Sequence, residues 1–365
     1  MTQSAALKDL KTPRVGATQL KLLERLTNAC SVSGDEGEVR SIVLDEVRPH
    51  ADEVRVDHLG NVLVTKSGKS KKALRVMLAA HMDEIGFMLT HNEDRDDGIF
   101  RIEAIGGVHV AYLPGKPVLV GKEHVPGVIG AKPVHLTTAD ERRNALSIDS
   151  LRIDVGPGNS SKVKVGDRAA FATQFSRIGP SLRAKALDDR LGVATLIELI
   201  KHAPPNIELR AAFTVQEEVG LRGAKVAAYS LEPDLAIALD STPANDMPAW
   251  DDDENTRYNT RLGAGPAIYL ADSATLSDPR LVRHLEQTAA VYGIPYQLRQ
   301  PGGGGTDAGI IHKQRAGIPS ISVSVPGRYL HTPVSLARLS DWENTLALLY
   351  VALVGLTPRV LRADR

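Results

Sequence analysis

The spacing of apolar residues predicts helices and strands in the first ninety residues. Apolar side chains recur three to four positions apart in segments 18–30 and 36–48, which is the period of an amphipathic helix. Residues 52–66 have the pattern of a strand hairpin with its turn at 59–61. The next segment, LRVMLAAH at 74–81, is almost continuously apolar, as expected of a strand in a sheet that is covered on both faces.

The pattern changes near residue 90 and changes back near residue 178. Between these points, short β-like runs are broken by Gly, Pro and Asp without an intervening amphipathic helix, which is typical of a small β-barrel or sandwich. From 179 onward, strand-like and helical segments alternate, which is typical of an α/β sheet. We therefore predict an α/β domain formed by 1–89 and 179–365, with a β-rich domain inserted at 90–178.

Composition excludes several classes of protein. A chain of 365 residues exceeds the roughly 250–300 residues at which a single core stops growing, which agrees with two domains. The formal net charge is zero, so neither a nucleic acid nor an anionic membrane is expected as a partner. The single cysteine, Cys30, excludes an intrachain disulfide, and we do not expect it to build a structural zinc site. No apolar run approaches the roughly 20 residues of a membrane span, and residues 1–16 lack a secretory pattern, so we expect a cytoplasmic protein.

Acidic residues or histidines follow four of the predicted strands. These residues are His81, Glu218, Asp240 and His331, and Asp188 begins a predicted helix. Ligands of open α/β sheets bind outside the carboxyl ends of the strands, so we expect the five side chains to converge. Two histidines with a surplus of carboxylates suit zinc, with cobalt or manganese as alternatives, whereas magnesium and calcium would use oxygen alone. Five ligands with one bridging carboxylate suffice for two divalent metal ions per subunit.

Each of these residues has a simpler explanation when it is considered alone. A histidine at a strand end, such as His81 or His331, can be a hydrogen-bonded structural residue. Asp188 and Asp189 can cap a helix and interact with its dipole, and Asp240 can cap a turn. The metal hypothesis therefore depends on the whole set lying at one end of one sheet.

Two further carboxylates adjoin the predicted ligands. Asp83 lies two residues beyond His81 and faces the same side of an extended chain, so it can accept the second ring N–H of that histidine. Glu217 precedes Glu218 and can accept a proton from the attacking water and return it to the leaving amine. A free α-amine bound beside a metal and a carboxylate would restrict cleavage to the N-terminus of a peptide.

Three other functions compete with metal-dependent cleavage at the N-terminus of a peptide. A glycosidase would need two carboxylates flanking a sugar and no metal, usually with aromatic platforms, whereas this chain has 2 Trp and 4% aromatic residues. A metal-dependent deacylase or carboxypeptidase would use the same metals and recognise a carboxylate in place of an amine. A non-catalytic protein on the same fold would be expected to have lost ligands, and none of the five is missing.

Ten segments of the chain, in order, resemble metallopeptidase family 42, the glutamyl and tetrahedral dodecameric aminopeptidases, some of which have been called cellulases or endoglucanases. The segments are SGDEGEVR, VDHLGNVLV, AAHMDEIGFML, IGGVHVAYLPGKPV, GVIGAKPVHL, KALDDRLG, VQEEVGLRGA, ALDST, GGGGTDAG and RYLHTPVS. The resemblance extends from about residue 20 to about residue 355. The chain departs from the family at Cys30-Ser31-Val32, where proline and glycine are usual.

This resemblance implies a fold, a set of residue roles and an assembly. The fold is a mixed-sheet α/β aminopeptidase domain of the phosphorylase/hydrolase-like type, with a PDZ-like inserted β-barrel that mediates dimerisation. The implied roles are one metal on His81, Asp188 and Asp240, a second on Asp188, Glu218 and His331 with Asp188 bridging, Glu217 as general base, and Asp83 as the residue that orients His81. The implied substrates are short peptides, and the implied assembly is a tetrahedral dodecamer built from dimers.

A glycine run at 302–305 is the remaining candidate for function. It lacks the Gly-Lys-Ser/Thr ending of a phosphate loop. The resemblance implies that Gly304, Gly305, Thr306 and Asp307 lie at the substrate pocket, and a flexible turn is the alternative.

Overall fold

A mixed sheet and a closed barrel contain the strands of the described residues. The computed structural model describes residues 11–70, 72–94, 98–248 and 260–364. The sheet strands are β1 (Glu53–Val56), β2 (Val62–Lys66), β3 (Leu74–His81), β10 (Ser176–Ile178), β11 (Ser181–Ala184), β12 (Ile207–Thr214), β13 (Leu235–Pro243), β14 (Ala267–Tyr269), β15 (Gln297–Arg299), β16 (Ser320–Arg328) and β17 (Ser335–Arg338). The barrel strands are β4 (Gly86–Asp94), β5 (Ile99–Ile105), β6 (Pro117–Val120), β7 (Val125–Gly130), β8 (Arg152–Asp154) and β9 (Arg168–Phe171). The helices are α1 (Ala17–Asn28), α2 (Gly37–Val47), α3 (Ala139–Arg143), α4 (Leu187–Lys201), α5 (Arg222–Leu231), α6 (Pro279–Tyr292), α7 (Ala308–Ile311), α8 (Leu339–Gly355) and α9 (Arg359–Arg362).

Four parallel strands form the centre of the sheet. The strand order is β1-β2-β12-β3-β13-β16-β17-β11-β10, and β14 joins β16 to β15. β3 pairs in parallel with β12 and β13, and β13 pairs in parallel with β16, whereas the flanking pairs are antiparallel. Since parallel strands end at the same edge, this arrangement brings the segments that follow the four central strands together.

The central strand β3 is covered on both faces, as its apolar sequence predicts. Val76 and Leu78 pack into a core cluster with the helices α1, α2, α4, α6 and α8. Met77 and Ala79, which alternate with them, pack into a second cluster with α5 and α7 on the opposite face. Side chains of a strand alternate between faces, so a strand buried on both sides must be apolar at successive positions.

The barrel closes in the order β4-β5-β8-β7-β6-β9. Its core contains an edge-to-face contact between Phe87 and Phe171, whose ring centroids lie 5.5 Å apart. The barrel strands begin at Gly86 and end at Phe171, and β10, which lies inside the predicted insertion, pairs with β11 in the large sheet.

The short helix α3 was not predicted. It is exposed, and it is started by a capping box between Thr138 and Glu141.

The predicted combination of a mixed α/β sheet and a small β-barrel is confirmed, with helix ends shifted by one to two residues. Within the described part of the chain, no helix combines the length and the apolar composition needed to cross a membrane. Residues 1–10 lie outside the described residues, and they contain most of the segment 1–16 from which we argued against a secretory signal.

Candidate metal centre

The five predicted metal ligands converge at the edge where the central strands end. His81 is the last residue of β3, Asp240 lies near the end of β13, and Glu218 lies in the turn after β12. His331 lies in the loop between β16 and β17, and Asp188 is the second residue of α4. They form two groups, each with ligand atoms within 4.8 Å of one another, and Asp188 belongs to both groups.

The first group contains His81, Asp188 and Asp240. The Nε2 atom of His81 lies 3.2 Å from Oδ1 of Asp188 and 3.9 Å from Oδ1 of Asp240. His81 is 2% exposed and Asp240 is 6% exposed, so both side chains face the protein interior at the floor of the site.

The second group contains Asp188, Glu218 and His331. The Nε2 atom of His331 lies 3.5 Å from Oδ2 of Asp188 and 3.4 Å from Oε2 of Glu218. The two oxygens of Asp188 therefore face different histidines, Oδ1 toward His81 and Oδ2 toward His331. A carboxylate in this position would offer one oxygen to each of two ions.

The buried charges of these groups fit divalent cations. Burial raises the pKa of Glu218 to about 7 and raises that of Asp240 well above its usual range, and the carboxylate of Asp188 adds to both shifts. Burial also acts on Asp188, but hydrogen bonds from His331 and His81 outweigh it and lower the pKa of that carboxyl. Among the described residues, no Lys or Arg lies within 4.0 Å of these carboxylates. The excess negative charge and the mixed nitrogen and oxygen donors suit zinc, cobalt or manganese.

Asp83 lies behind the ligands and holds several of them in position. The Nδ1 atom of His81 lies 3.1 Å from the main-chain oxygen of Asp83 and 3.5 Å from its carboxylate. The same carboxylate accepts hydrogen bonds from the backbone nitrogens of Glu217 at 3.0 Å and Glu218 at 3.2 Å, and from Oγ of Ser33 at 2.6 Å. The expected contact with His81 is therefore shared with the backbone, and the larger role of the carboxylate is to fix the Glu217-Glu218 turn.

The turn that carries Glu217 and Glu218 has an unusual backbone. Gln216 and Leu221, on either side of it, have φ of 55° and 58°, in the left-handed region that residues other than glycine seldom adopt. Such conformations cost of order 1–3 kcal/mol each and collect at functional sites. Glu217 lies beside both ligand groups without belonging to either. Burial raises the pKa of its carboxyl well above the usual range, although His81 opposes the shift.

The neighbouring aspartates Asp188 and Asp189 have different roles. Asp189 is fully buried, and its carboxylate accepts hydrogen bonds from the backbone nitrogens of Gly192 at 3.0 Å and His81 at 3.3 Å. The peptide bond between the two aspartates is cis, and both have non-helical dihedral angles, so the regular helix begins after them. The capping role considered for the pair belongs to Asp189, and only Asp188 reaches the ligand groups.

The barrel contributes to the position of His331. The Nδ1 atom of His331 lies 3.0 Å from the main-chain oxygen of Gly107, so this ring nitrogen donates to it and Nε2 is directed toward Asp188 and Glu218. A Cβ atom at Gly107 would lie 2.9 Å from that Nδ1 atom. Sequence reasoning did not identify this glycine, because its partner is more than two hundred residues away.

A cavity of about 820 Å³ opens over the two ligand groups. Its lining includes the five predicted ligands, Glu217, Gly304 and Gly305. The structure does not bring Thr306 and Asp307 to the cavity wall, because both are used internally at the start of α7. The hydroxyl of Thr306 lies 2.6 Å from Oγ of Ser322, and Oδ2 of Asp307 accepts a hydrogen bond of 2.6 Å from Thr214.

Arg299 is a cavity residue that sequence reasoning missed. It is 6% exposed and lies over the ring of Tyr269, with its guanidinium carbon 4.4 Å from the ring centroid. Its three hydrogen bonds go to neutral oxygens of Thr242, Ala271 and Gly303. No carboxylate lies within 4.0 Å of this guanidinium among the described residues, so the wall carries a positive charge without an acidic partner. A lone arginine in QLRQ gives no signal of this in the sequence.

A buried ion-pair network lies under the site. Lys185 donates to Glu84 at 2.7 Å and 2.8 Å, and Arg190 donates to the same carboxylate at 3.1 Å. All three side chains are at most 2% exposed. Arg190 also donates to the main-chain oxygens of Met82 and Asp83. The network therefore ties the segment after β3 to the segment that carries Asp188.

Comparison with known proteins agrees with this geometry. A model of the M42 glutamyl aminopeptidase family matches residues 60–348. A protein of Acetivibrio thermocellus named as an aminopeptidase is 40% identical over 337 residues, which cover 91% of this chain and 97% of its own length.

Solved structures are similar over nearly the whole chain. The aminopeptidase APDkam598 of the archaeon Desulfurococcus kamchatkensis superposes with a TM-score of 0.88 at 34% identity, covering 94% of this chain and 97% of that chain. The TET1 peptidase of Pyrococcus horikoshii superposes with a TM-score of 0.80 at 32% identity, covering 93% of this chain and 100% of that chain. The resemblance inferred from the sequence motifs is thus confirmed. The chain belongs to the M42 glutamyl aminopeptidase family and is a metal-dependent hydrolase of peptide bonds.

Proposed function

We propose that this protein binds two divalent metal ions and removes single residues from the N-termini of short peptides. The observation that carries the proposal is the pair of ligand groups that share Asp188. His81, Asp188 and Asp240 would hold one ion, and Asp188, Glu218 and His331 the other. Zinc is the proposed metal, with cobalt or manganese as alternatives, because each group combines one imidazole with two carboxylates.

Glu217 is the proposed general base. The two ions, when bound, would supply Lewis acidity to the scissile carbonyl and to the attacking water. Glu217 lines the cavity, belongs to neither ligand group, and has its backbone nitrogen fixed by Asp83. Its carboxylate would accept the proton of the water and return it to the leaving amine.

The surplus of carboxylates around the cavity favours a substrate with a free α-ammonium group. Asp240, Glu217 and Glu218 line one cavity without a Lys or Arg partner among the described residues. A positively charged N-terminus would be attracted to these carboxylates, whereas an acetylated N-terminus would lose that interaction. This favours an aminopeptidase over the deacylase and carboxypeptidase alternatives.

The position of Arg299 suggests the chemical class of the N-terminal side chain of the substrate. A guanidinium offers five N–H donors, and three of those of Arg299 are used on neutral oxygens. A carboxylate entering the cavity would satisfy the remaining donors and offset the buried charge. We therefore propose a preference for an acidic N-terminal residue.

The inserted segment 90–178 is proposed as a dimerisation domain, with dimers assembling into a tetrahedral dodecamer. Large apolar side chains of this segment are exposed, including Val134 at 73% and Leu136 at 60%. Exposed apolar groups of this kind mark association surfaces. The similar Pyrococcus horikoshii TET1 peptidase can assemble into a tetrahedron or a large octahedral shell.

A panel of aminoacyl-anilides, assayed after chelation and after addition of zinc, cobalt or manganese, tests the proposal. Hydrolysis should require metal and should fail with N-acetylated substrates. Equal cleavage of acetylated and free substrates would instead support a deacylase, and activity on carboxymethylcellulose after chelation would support a glycosidase. Particle mass measured on the same sample tests the dodecamer.

A further inference from the structure

A second set of potential metal ligands lies outside the catalytic cavity, where the barrel contacts the large sheet domain. Cys30 lies between α1 and α2, Glu38 lies in the first turn of α2, and His124 lies in the turn between β6 and β7. The sulfur, one carboxylate oxygen and one ring nitrogen of these residues lie within 4.8 Å of one another. Three chain segments that are distant in sequence thus direct three different donor types toward one point.

Existing hydrogen bonds already hold this cluster together. The Nε2 atom of His124 lies 2.5 Å from Oε1 of Glu38. The other oxygen of Glu38 accepts a hydrogen bond of 2.9 Å from the backbone nitrogen of Cys30. His124 has φ of 50°, in the left-handed region, and its backbone nitrogen donates to Gly121 at 3.1 Å. A non-glycine residue held in this conformation aims the imidazole back toward α2.

A cavity of about 240 Å³ adjoins the cluster and is lined by Cys30, Asp35 and Glu38. It gives room for a fourth ligand, either water or a small anion. Lys122 and Arg168 also line it, and their charges offset those of Asp35 and Glu38. The sulfur and nitrogen donors of the cluster favour zinc over magnesium and calcium, which bind through oxygen.

The charges of the ligands match a divalent ion. When a metal binds, Cys30 would lose its thiol proton to solvent, and the resulting thiolate and the carboxylate of Glu38 would together neutralise the ion. This suits a half-buried site.

Although the single cysteine was not expected to build a structural zinc site, we propose that Cys30, Glu38 and His124 bind a zinc ion that fastens the barrel to the large sheet domain. This site is separate from the catalytic centre and does not depend on the proposed function. Since His124 comes from the barrel and the other two ligands come from the α1–α2 region, the ion would cross-link two parts of the fold, with a water or a small anion as the fourth ligand of a tetrahedral site.

Cobalt substitution of the full-length protein tests the site, because Cys30 is the single cysteine of the chain. A sulfur-to-cobalt charge-transfer band in the near ultraviolet therefore reports this site alone. Titration of the chelator-treated protein with Co²⁺ should produce the band, and added Zn²⁺ should remove it. The Cys30→Ser variant should show no band, and His124→Gln should weaken cobalt binding at least tenfold. His135→Gln, which changes an exposed barrel histidine, should leave the titration unchanged.

A catalytic-site variant separates the two metal centres. Asp188→Asn should keep the band, because Asp188 belongs to the other groups. The proposal is overturned if folded wild-type protein takes up cobalt without the band, if the band is lost in Asp188→Asn, or if both His124→Gln and Glu38→Gln titrate as the wild type does. Circular dichroism of each variant establishes that it is folded.

Discussion

The carboxylate of Asp83 accepts a hydrogen bond of 3.0 Å from the backbone nitrogen of Glu217, and this contact fixes the proposed base relative to the ligands. Asp83→Asn would present an amide nitrogen to at least one of the backbone donors that the carboxylate now accepts. We expect kcat to fall by about 10–100-fold while both ions stay bound. Steady-state kinetics with metal analysis of the same sample measures this.

Asp45→Asn is the matched control for this variant, because Asp45 is exposed on α2. It should retain normal kinetics. If Asp83→Asn also retains normal kcat, the hydrogen bonds to the Glu217-Glu218 turn have no part in positioning the base.

Glu217→Gln removes the proposed proton acceptor and preserves the size of the side chain. Because general base catalysis typically contributes about 10²–10⁴-fold, we expect a loss of kcat in that range. Metal content should be unchanged, since Glu217 belongs to neither ligand group. The exposed Glu24→Gln variant is the control. Near-normal turnover of fully metallated Glu217→Gln would show that the base has been misassigned.

Arg299→Met removes the unpartnered positive charge of the cavity wall. Hydrogen bonds to charged groups contribute about 1.5–3 kcal/mol, so we expect kcat/KM for glutamyl- and aspartyl-anilides to fall by roughly 10–100-fold. The leucyl-anilide serves as the internal control, and Arg299→Lys should retain part of the acidic preference. An equal loss on all substrates would indicate that Arg299 acts on the loops it ties together and does not select the side chain.

Lys185→Met breaks the buried network around Glu84 and leaves that carboxylate with Arg190 and the backbone nitrogen of Ser31. Breaking a buried ion pair typically costs about 3–5 kcal/mol, and Arg190 still offsets part of the charge here. We expect a loss of about 3 kcal/mol here, measured by urea unfolding of the metallated protein. Lys132→Met, which breaks an exposed pair with Glu141, should have little effect. Equal unfolding midpoints for the two variants would contradict this assignment.

The sequence was sufficient to predict the parts of the fold that depend on local pattern. The apolar run 74–81 and the helices near residues 20 and 40 follow from periodicity, and the strand-end residues follow from topology. The convergence of His81, Glu218, Asp240 and His331 could be predicted because parallel strands must end at one edge.

The features that were missed depend on contacts between distant segments. Strand β4 follows His81 without a turn signal, and the strands β14 and β15 are three residues each. Arg299 is buried by residues of other elements, and Lys185 forms an ion pair with a residue of another segment. A local sequence pattern does not predict such contacts. Thr306 and Asp307 were expected at the pocket because they follow the glycine run, yet they face the interior of the fold.

The hydrogen bond between Gly107 and His331 crosses from the barrel to the metal centre. Any force that shifts the barrel, such as docking of another subunit against it, must also change the direction in which His331 presents its Nε2 atom. Linkage is reciprocal in free energy. Ion occupancy would therefore alter the strength of subunit association by the same factor by which association alters ion affinity.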